Sequence, residues 1–198
     1  MSQHVAEICS DLATMLLENF KTISYETRRH ADLRTSVEEA MKFIHRPTRL
    51  LESFTSDVIL RPLMLLCHFK LHGTMLPTLT IFHHLLEYCP TQRLAQTAIS
   101  SFSMIVEFNQ QKGYTSGNQL LDDKIHLKIL QSILLSLHID SLHDAVLLRA
   151  CYIASLSICT KLSCYGSVIV QNTALAAIRQ LIQYAFEIAC EDLKKEEV

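Results

Sequence analysis

The sequence predicts an all-α fold, an armadillo/HEAT-like α-solenoid of about eight antiparallel helices, and three observations predict it. Apolar residues recur at three-and-four spacing through most segments. Only four Gly and four Pro occur in 198 residues, too few for the tight turns that a β-protein of this length needs. Connections between periodic segments are mostly short, which makes sequential neighbours antiparallel, and consecutive helix pairs of roughly 35–45 residues suggest stacked repeats. No exact repeat signature is visible, so the solenoid rests on helix number and spacing.

Val5, Ile8, Leu12, Met15, Leu16 and Phe20 form the first stripe, and Leu33, Val37, Ala40, Met41 and Ile44 the second. The pattern weakens between Arg46 and Phe54, where Pro47 marks a break. Ser56 can cap a helix running through Val58, Leu63 and Leu66, which Pro62 either kinks or enters in the first turn of a later start; Gly73 ends that region. Pro77 is expected to open the next helix, with Leu79, Phe82, Leu85 and Leu86 inside and Cys89-Pro90 at its end. Thr91 caps the successor, striped by Leu94, Ala98, Phe102 and Ile105.

Gln110–Asn118, QQKGYTSGN, is predicted as one long loop. Asp122 and Asp123 suit the positive start of a helix over Lys124–His138, which is apolar on more than one face and therefore predicted to be central and covered on both sides. Ser141 and Asp144 resemble a capping arrangement for a helix through Leu148, Ala150, Ala154 and Ile158. Gly166-Ser167 separates it from a last helix striped by Leu175, Ile178, Ile182, Ala185, Phe186 and Ala189.

Composition bounds the function. Hydrophobic residues make up 49% and charged residues 19%, which argues against disorder, and the length suits one domain spanning residues 1–198. The net charge of −2 lacks the basic excess of a duplex-binding protein, so no nucleic acid partner is expected. The seven cysteines (Cys9, Cys67, Cys89, Cys151, Cys159, Cys164 and Cys190) form no CxxC pair and sit mostly among apolar residues, as in a reducing compartment without a disulfide framework. The start, MSQHVAEICSD, has no secretory h-region. The longest charge-free runs, Leu71–Leu86 and Leu162–Ile178, fall short of the ~18–20 purely apolar residues of a span. The closing EDLKKEEV carries no helix stop signal, as expected of the N-terminal part of a longer protein.

Few constellations suggest chemistry. His68 and His72 lie four apart, placing them on one helix face, but without the Glu of HExxH; His83 and His84 diverge on a helix. Solvated or satisfied histidines are the reading, and no metal or cofactor is expected. A Cys/His nucleophilic site has no local signature around any cysteine, and GxxxxGK[ST], GxGxxG and GxSxG are absent, so no catalytic residue is assigned. Arg28, Arg29, Arg34, Lys42, Arg46 and Arg49 make the most basic stretch, interrupted by Asp32, Glu38 and Glu39; it reads as a mixed solvated face, with an acidic protein surface or anionic lipid as the alternative. Gln171, Asn172, Thr173, Arg179, Gln180 and Gln183 are polar residues embedded in the apolar last helix. Capping could explain Asn172 and Thr173, while Arg179 and Gln180 could hold neighbouring helices or a partner.

These residues also carry a family likeness. LKILQSILLSL (Leu127–Leu137), then His143-Asp144-Ala145, then QNTALAAIRQL (Gln171–Leu181) resemble the N-terminal dimerisation and cyclophilin-binding (DCB) domain of the large Arf guanine-nucleotide exchange factors, closest to the Mon-two branch, a relative of the BIG factors. Ser10-Asp11-Leu12 and Glu38-Glu39-Ala40 fit its first two helices. The likeness is specific from about Lys124 to Glu187 and loose between Arg46 and Asn118, and the QQKGYTSGN segment departs from the pattern.

The resemblance implies a non-catalytic interaction domain of a peripheral Golgi or endosomal trafficking scaffold. Its implied partners are an Arf or Arf-like small GTPase, a second copy, and the following helical HUS domain, with membrane contact indirect or peripheral. Exchange chemistry belongs to a separate Sec-seven-type domain. The residues carrying the resemblance, Lys128, Gln131, His143, Asp144, Asn172, Arg179 and Gln180, are the interaction candidates. Three rivals stand beside it. A general armadillo-like adaptor predicts no preference for Arf-family GTPases. An all-helical enzyme with a buried Cys/His site predicts a deep polar cavity. Lipid binding through Arg28–Arg49 predicts salt-sensitive sedimentation with anionic liposomes.

Overall fold

The computed structural model describes residues 3–46, 51–112, 118–137, 145–164 and 167–196. Among them the apolar stripes coil into eight α-helices and one 3-10 turn. The helices are α1 (Gln3–Glu26), α2 (Ala31–Ile44), α3 (Asp57–Phe69), α4 (His72–Tyr88), α5 (Gln92–Lys112), α6 (Gln119–Leu137), α7 (Ala145–Ser163) and α8 (Val168–Glu196); the 3-10 turn is Leu51–Thr55.

The helices stack in two rows. In one, α1 packs on α4, α4 on α6 and α6 on α8; in the other, α2 packs on α3, α3 on α5 and α5 on α7. Apart from α2 and α3, which share a row, sequential helices cross between the rows. This is the repetition of an armadillo/HEAT-like α-solenoid, in which each layer contacts its neighbours. The core runs along the seam. Leu12, Leu16, Phe20 and Ile23 of α1, Leu33, Val37 and Ala40 of α2, and Leu94, Ala98 and Phe102 of α5 are buried. Phe82 of α4 meets Phe102 edge-on, ring centroids 5.8 Å apart.

Several boundaries follow the sequence signals. Leu94 N–H donates to Thr91 Oγ1 at 3.3 Å, a side-chain cap of the kind that contributes about 1 kcal/mol. The helix before it ends at Tyr88, with Cys89 N–H donating to the Leu85 carbonyl at 2.8 Å. The expectation of a central helix is met by α6, which touches α4, α5, α7 and α8.

Other boundaries differ. Ser56 stands at the N-cap of α3, but its side chain makes no capping bond there. Pro62 lies within α3, beyond its first turn, and is buried. The chain reverses before Gly73: Lys70 adopts the left-handed conformation (φ 53°, ψ 42°) and its N–H donates to the Leu66 carbonyl. Gly73 and Pro77 therefore both lie inside α4, whose first turn is tightened by Thr74, donating through N–H and Oγ1 to the Leu71 carbonyl at 3.0 and 2.9 Å. A Cβ on Gly73 would stand 2.7 Å from Glu26 Cδ, so its bareness gives that side chain room.

The predicted loop at Gln110 begins later, because α5 continues through Lys112. Helix α6 begins earlier, at Gln119, where Asn118 Oδ1 accepts the Leu121 N–H at 3.3 Å, so Asp122 is in the first turn and Asp123 follows. Ser141 and Asp144 lie outside the described residues. Helix α7 buries Cys151, Ser155, Ile158, Cys159 and Leu162, a face rotated from the predicted one, and Ala150 is exposed.

By length and composition, Val146–Ser163 of α7 could cross a membrane, with a mean hydropathy of 1.3. Here it packs against α5, α6 and α8, and Lys161 Nζ donates to Glu107 Oε1 of α5 at 3.0 Å.

Two histidines are held in the helical stack, His83 of α4 on the seam with α6 and His126 within α6. Ser132 Oγ donates to the Lys128 carbonyl at 2.8 Å, so it accepts from His83 Nδ1–H at 3.2 Å. His126 is buried. Burial lowers the pKa of both rings; Lys128 and His84 lower His83 further while Glu87 opposes, and Asp122 and Asp123 oppose the shift at His126. A histidine with a depressed folded-state pKa leaves the unfolded chain binding more protons. The stability it confers is complete above the unfolded value near 6.5 and falls as pH drops below it. The denaturant midpoint is expected to be lower at about pH 5.5 than at about pH 7.5, and an unchanged midpoint would contradict the burial of these rings.

Candidate interaction surface

Two apolar stripes compete on α8. Val170, Ala174, Ala177 and Leu181 form one and are buried. Val168, Leu175, Ile182 and Phe186 form the other, and they are 69, 47, 46 and 68% exposed. The predicted core stripe through Leu175, Ile182, Phe186 and Ala189 thus faces solvent, with Ile178 and Ala185 half-buried at its edge. Size explains the choice. Small side chains at 174 and 177 let the helix backbone approach its neighbours closely, and Tyr152 Oη of α7 donates to the Leu181 carbonyl at 2.6 Å across that contact. Larger residues on this face would hold the helices apart.

The exposed stripe has helical periodicity, and at its intermediate turns stand Asn172 and Arg179, so the face reads Val168, Asn172, Leu175, Arg179, Ile182, Phe186. Asn172 and Arg179 are both exposed, and neither has a hydrogen-bond or ion-pair partner among the described residues. Capping does not account for Asn172: Ser167 Oγ accepts the Val170 N–H at 3.4 Å and performs that role. Gln180 lies on the polar flank, where Gln183 donates to Glu187 Oε1 at 2.9 Å. Large apolar side chains aligned along one solvent-facing side of a helix mark a candidate docking face. The outward side of α1, at the far end of the row, contrasts with it: Glu7, Ser10, Asp11, Thr14, Glu18 and Lys21 are exposed there.

The remaining candidates separate from this face. Lys128 and Gln131 lie near one another on the outer side of α6, Gln131 exposed and Lys128 close enough to His83 for its charge to be felt. No hydrogen bond or ion pair joins them to the α8 stripe among the described residues. His143 and Asp144 lie outside the described residues.

The chemical alternatives fare differently. His68 and His72 belong to different helices, the last turn of α3 and the start of α4, so they share no helix face. Burial pushes the thiols of Cys67, Cys89 and Cys159 up to about 12, which leaves them protonated and poor nucleophiles. An open groove of about 430 Å³ between α3 and α5, lined by Met64, Leu65, His68, Ser100 and Met104, contains no cysteine, whereas an open cavity of about 320 Å³ beside α1 and the end of α2 has both Cys9 and His45 in its lining. In the basic stretch, Arg34 pairs with Glu38 at 2.7 Å and Arg28 stacks over the Tyr25 ring at 4.1 Å, as on a mixed solvated face.

The sequence model of the Mon2/Sec7/BIG1-like dimerisation and cyclophilin-binding (DCB) domain matches residues 7–192. No curated protein and no solved structure matches the chain.

Proposed function

We propose, for a chain that belongs to the DCB family, whose members are interaction domains separate from the exchange-factor catalytic domain, a role as the non-catalytic regulatory module of a large Arf-exchange-factor-like scaffold in Golgi–endosome vesicle traffic. The work of such a module is surface complementarity. Buried stripes hold the two rows stiff, and an exposed face docks an Arf or Arf-like GTPase, a second copy or the adjoining helical HUS domain. Membrane association is then peripheral and follows from the partner bound. The carrying observation is the apolar stripe of α8, in which Val168, Leu175, Ile182 and Phe186 stand in solvent on one helix face.

The test compares the wild-type chain with Phe186→Asp, measuring solution mass and capture of Arf and Arf-like GTPases loaded with GTP analogue or GDP. Phe186 is 68% exposed, so its replacement is expected to leave the thermal midpoint within about 1–2 °C while weakening self-association or GTPase capture by at least about tenfold. If both measurements are the same for the two chains, the stripe is not the docking face.

A further inference from the structure

Resting on that reading, we infer that the α8 stripe is built for a partner helix carrying a carboxylate, and not for a second α8 stripe. The shape argument comes from the row itself. Each of α1, α4 and α6 is followed in its row by another helix, and α8 offers the next position the same periodic arrangement of apolar side chains. A surface of this kind is complemented by another helix, seated about 8–10 Å away between ridges.

The charge argument is sharper. Arg179 stands between Leu175 and Ile182, in the middle of the stripe, with no partner within the described chain. A guanidinium stays protonated in any environment, so a helix docked here strips water from a fixed positive charge. Leaving that charge uncompensated costs several times what a surface charge does, whereas a bidentate carboxylate satisfies it and fixes the register.

The stripe contains no Asp or Glu. The carboxylate of Glu187 lies on the flank and accepts a hydrogen bond from Gln183. Two stripes placed face to face would therefore enclose two guanidiniums with no carboxylate between them. The occupant must bring the acid. Asn172, two turns before Arg179 and about 10 Å away along the axis, asks for a hydrogen-bonding residue at the matching place. The partner seam is thus apolar, interrupted by an acidic and a polar residue about two turns apart.

The experiment selects a displayed library of amphipathic helices, about five turns long with a fixed apolar seam and randomised central seam positions, against the 198-residue chain. Helices enriched on the wild type are expected to carry Asp or Glu over Lys or Arg at one seam position by about tenfold, and Arg179→Glu is expected to reverse that preference. Phe186→Asp is expected to deplete all of them. Helices enriched with the same seam on wild type and Arg179→Glu would overturn the carboxylate inference and leave the docking face standing. With no helix enriched, a dimer that Phe186→Asp dissolves would make the stripe a self-pairing face, overturning the inference but not the interaction role. With no helix enriched and a monomer in solution, both fall.

Discussion

Phe102→Ala is expected to lower the free energy of unfolding by about 3–5 kcal/mol, the range for truncating a large aromatic side chain in a core that cannot close around the void. Phe102 is fully buried on α5, and its ring lies edge-on to Phe82 of α4, with an interplanar angle of 82°. That pair contributes about 0.5–1.5 kcal/mol beyond the area it hides. Helix α5 also packs on α3 and α7, so the void would open where the rows join and where stacked layers on both sides resist collapse. Against a total stability of about 5–15 kcal/mol, such a loss is a large fraction. Denaturant titration reads it directly, and the slope with denaturant should stay the same. Phe102→Leu, which keeps most of the volume, should cost visibly less. A loss under about 1 kcal/mol for the alanine variant would mean that the ring is not enclosed.

The second large effect tests which side of α8 is inside. Ala177→Asp places a carboxylate on the buried face and is expected to cost more than about 3 kcal/mol, by desolvation without a partner. Leu175→Asp places the same group in water on the opposite side and is expected to change stability by about 0.5 kcal/mol or less. The comparison uses one chemistry at positions two residues apart, so helix propensity and charge largely cancel. The reverse order would require α8 to be turned through about half a revolution.

That comparison also marks where sequence reasoning stopped. Hydrophobic periodicity located α1, α2 and α5 with their buried faces, because each has a single apolar stripe and polar residues opposite. It failed on α8, which carries two. The larger side chains of Leu175, Ile182 and Phe186 outweigh Ala174 and Ala177 on any transfer scale, yet close helix approach favours the smaller set. Side-chain size is written in the sequence; the distance between axes is a property of the neighbours.

The prolines misled for a related reason. Pro77 read as a helix start, and Pro62 as either a kink or a first-turn residue of a later start; both lie inside helices whose first turns were set earlier, at Ser56 and at Thr74. The end of the region that the sequence put at Gly73 comes three residues earlier, where Lys70 takes the left-handed conformation after α3, and α4 then returns to pack on α1. For the candidate site, Asn172 and Arg179 were legible as polar residues on an apolar helix, and both stand in the exposed stripe. The stripe itself was legible as a pattern and misassigned as core. A resemblance carried by residues 143 and 144 rests on positions outside the described structure.

The row arrangement bears on motion as well as shape. The extensive contacts of α8 are with α6 and α7, and those of α1 are with α2 and α4. A stack coupled in this way resembles a ladder whose rungs are held only by adjacent rungs, so it can fray from either end without the other end responding. A helix seated on α8 would act as a stopper on one end: it would slow amide exchange in the last rungs and leave the first unchanged. Occupancy of the stripe thereby becomes a local rheostat, setting how often that end of the stack opens.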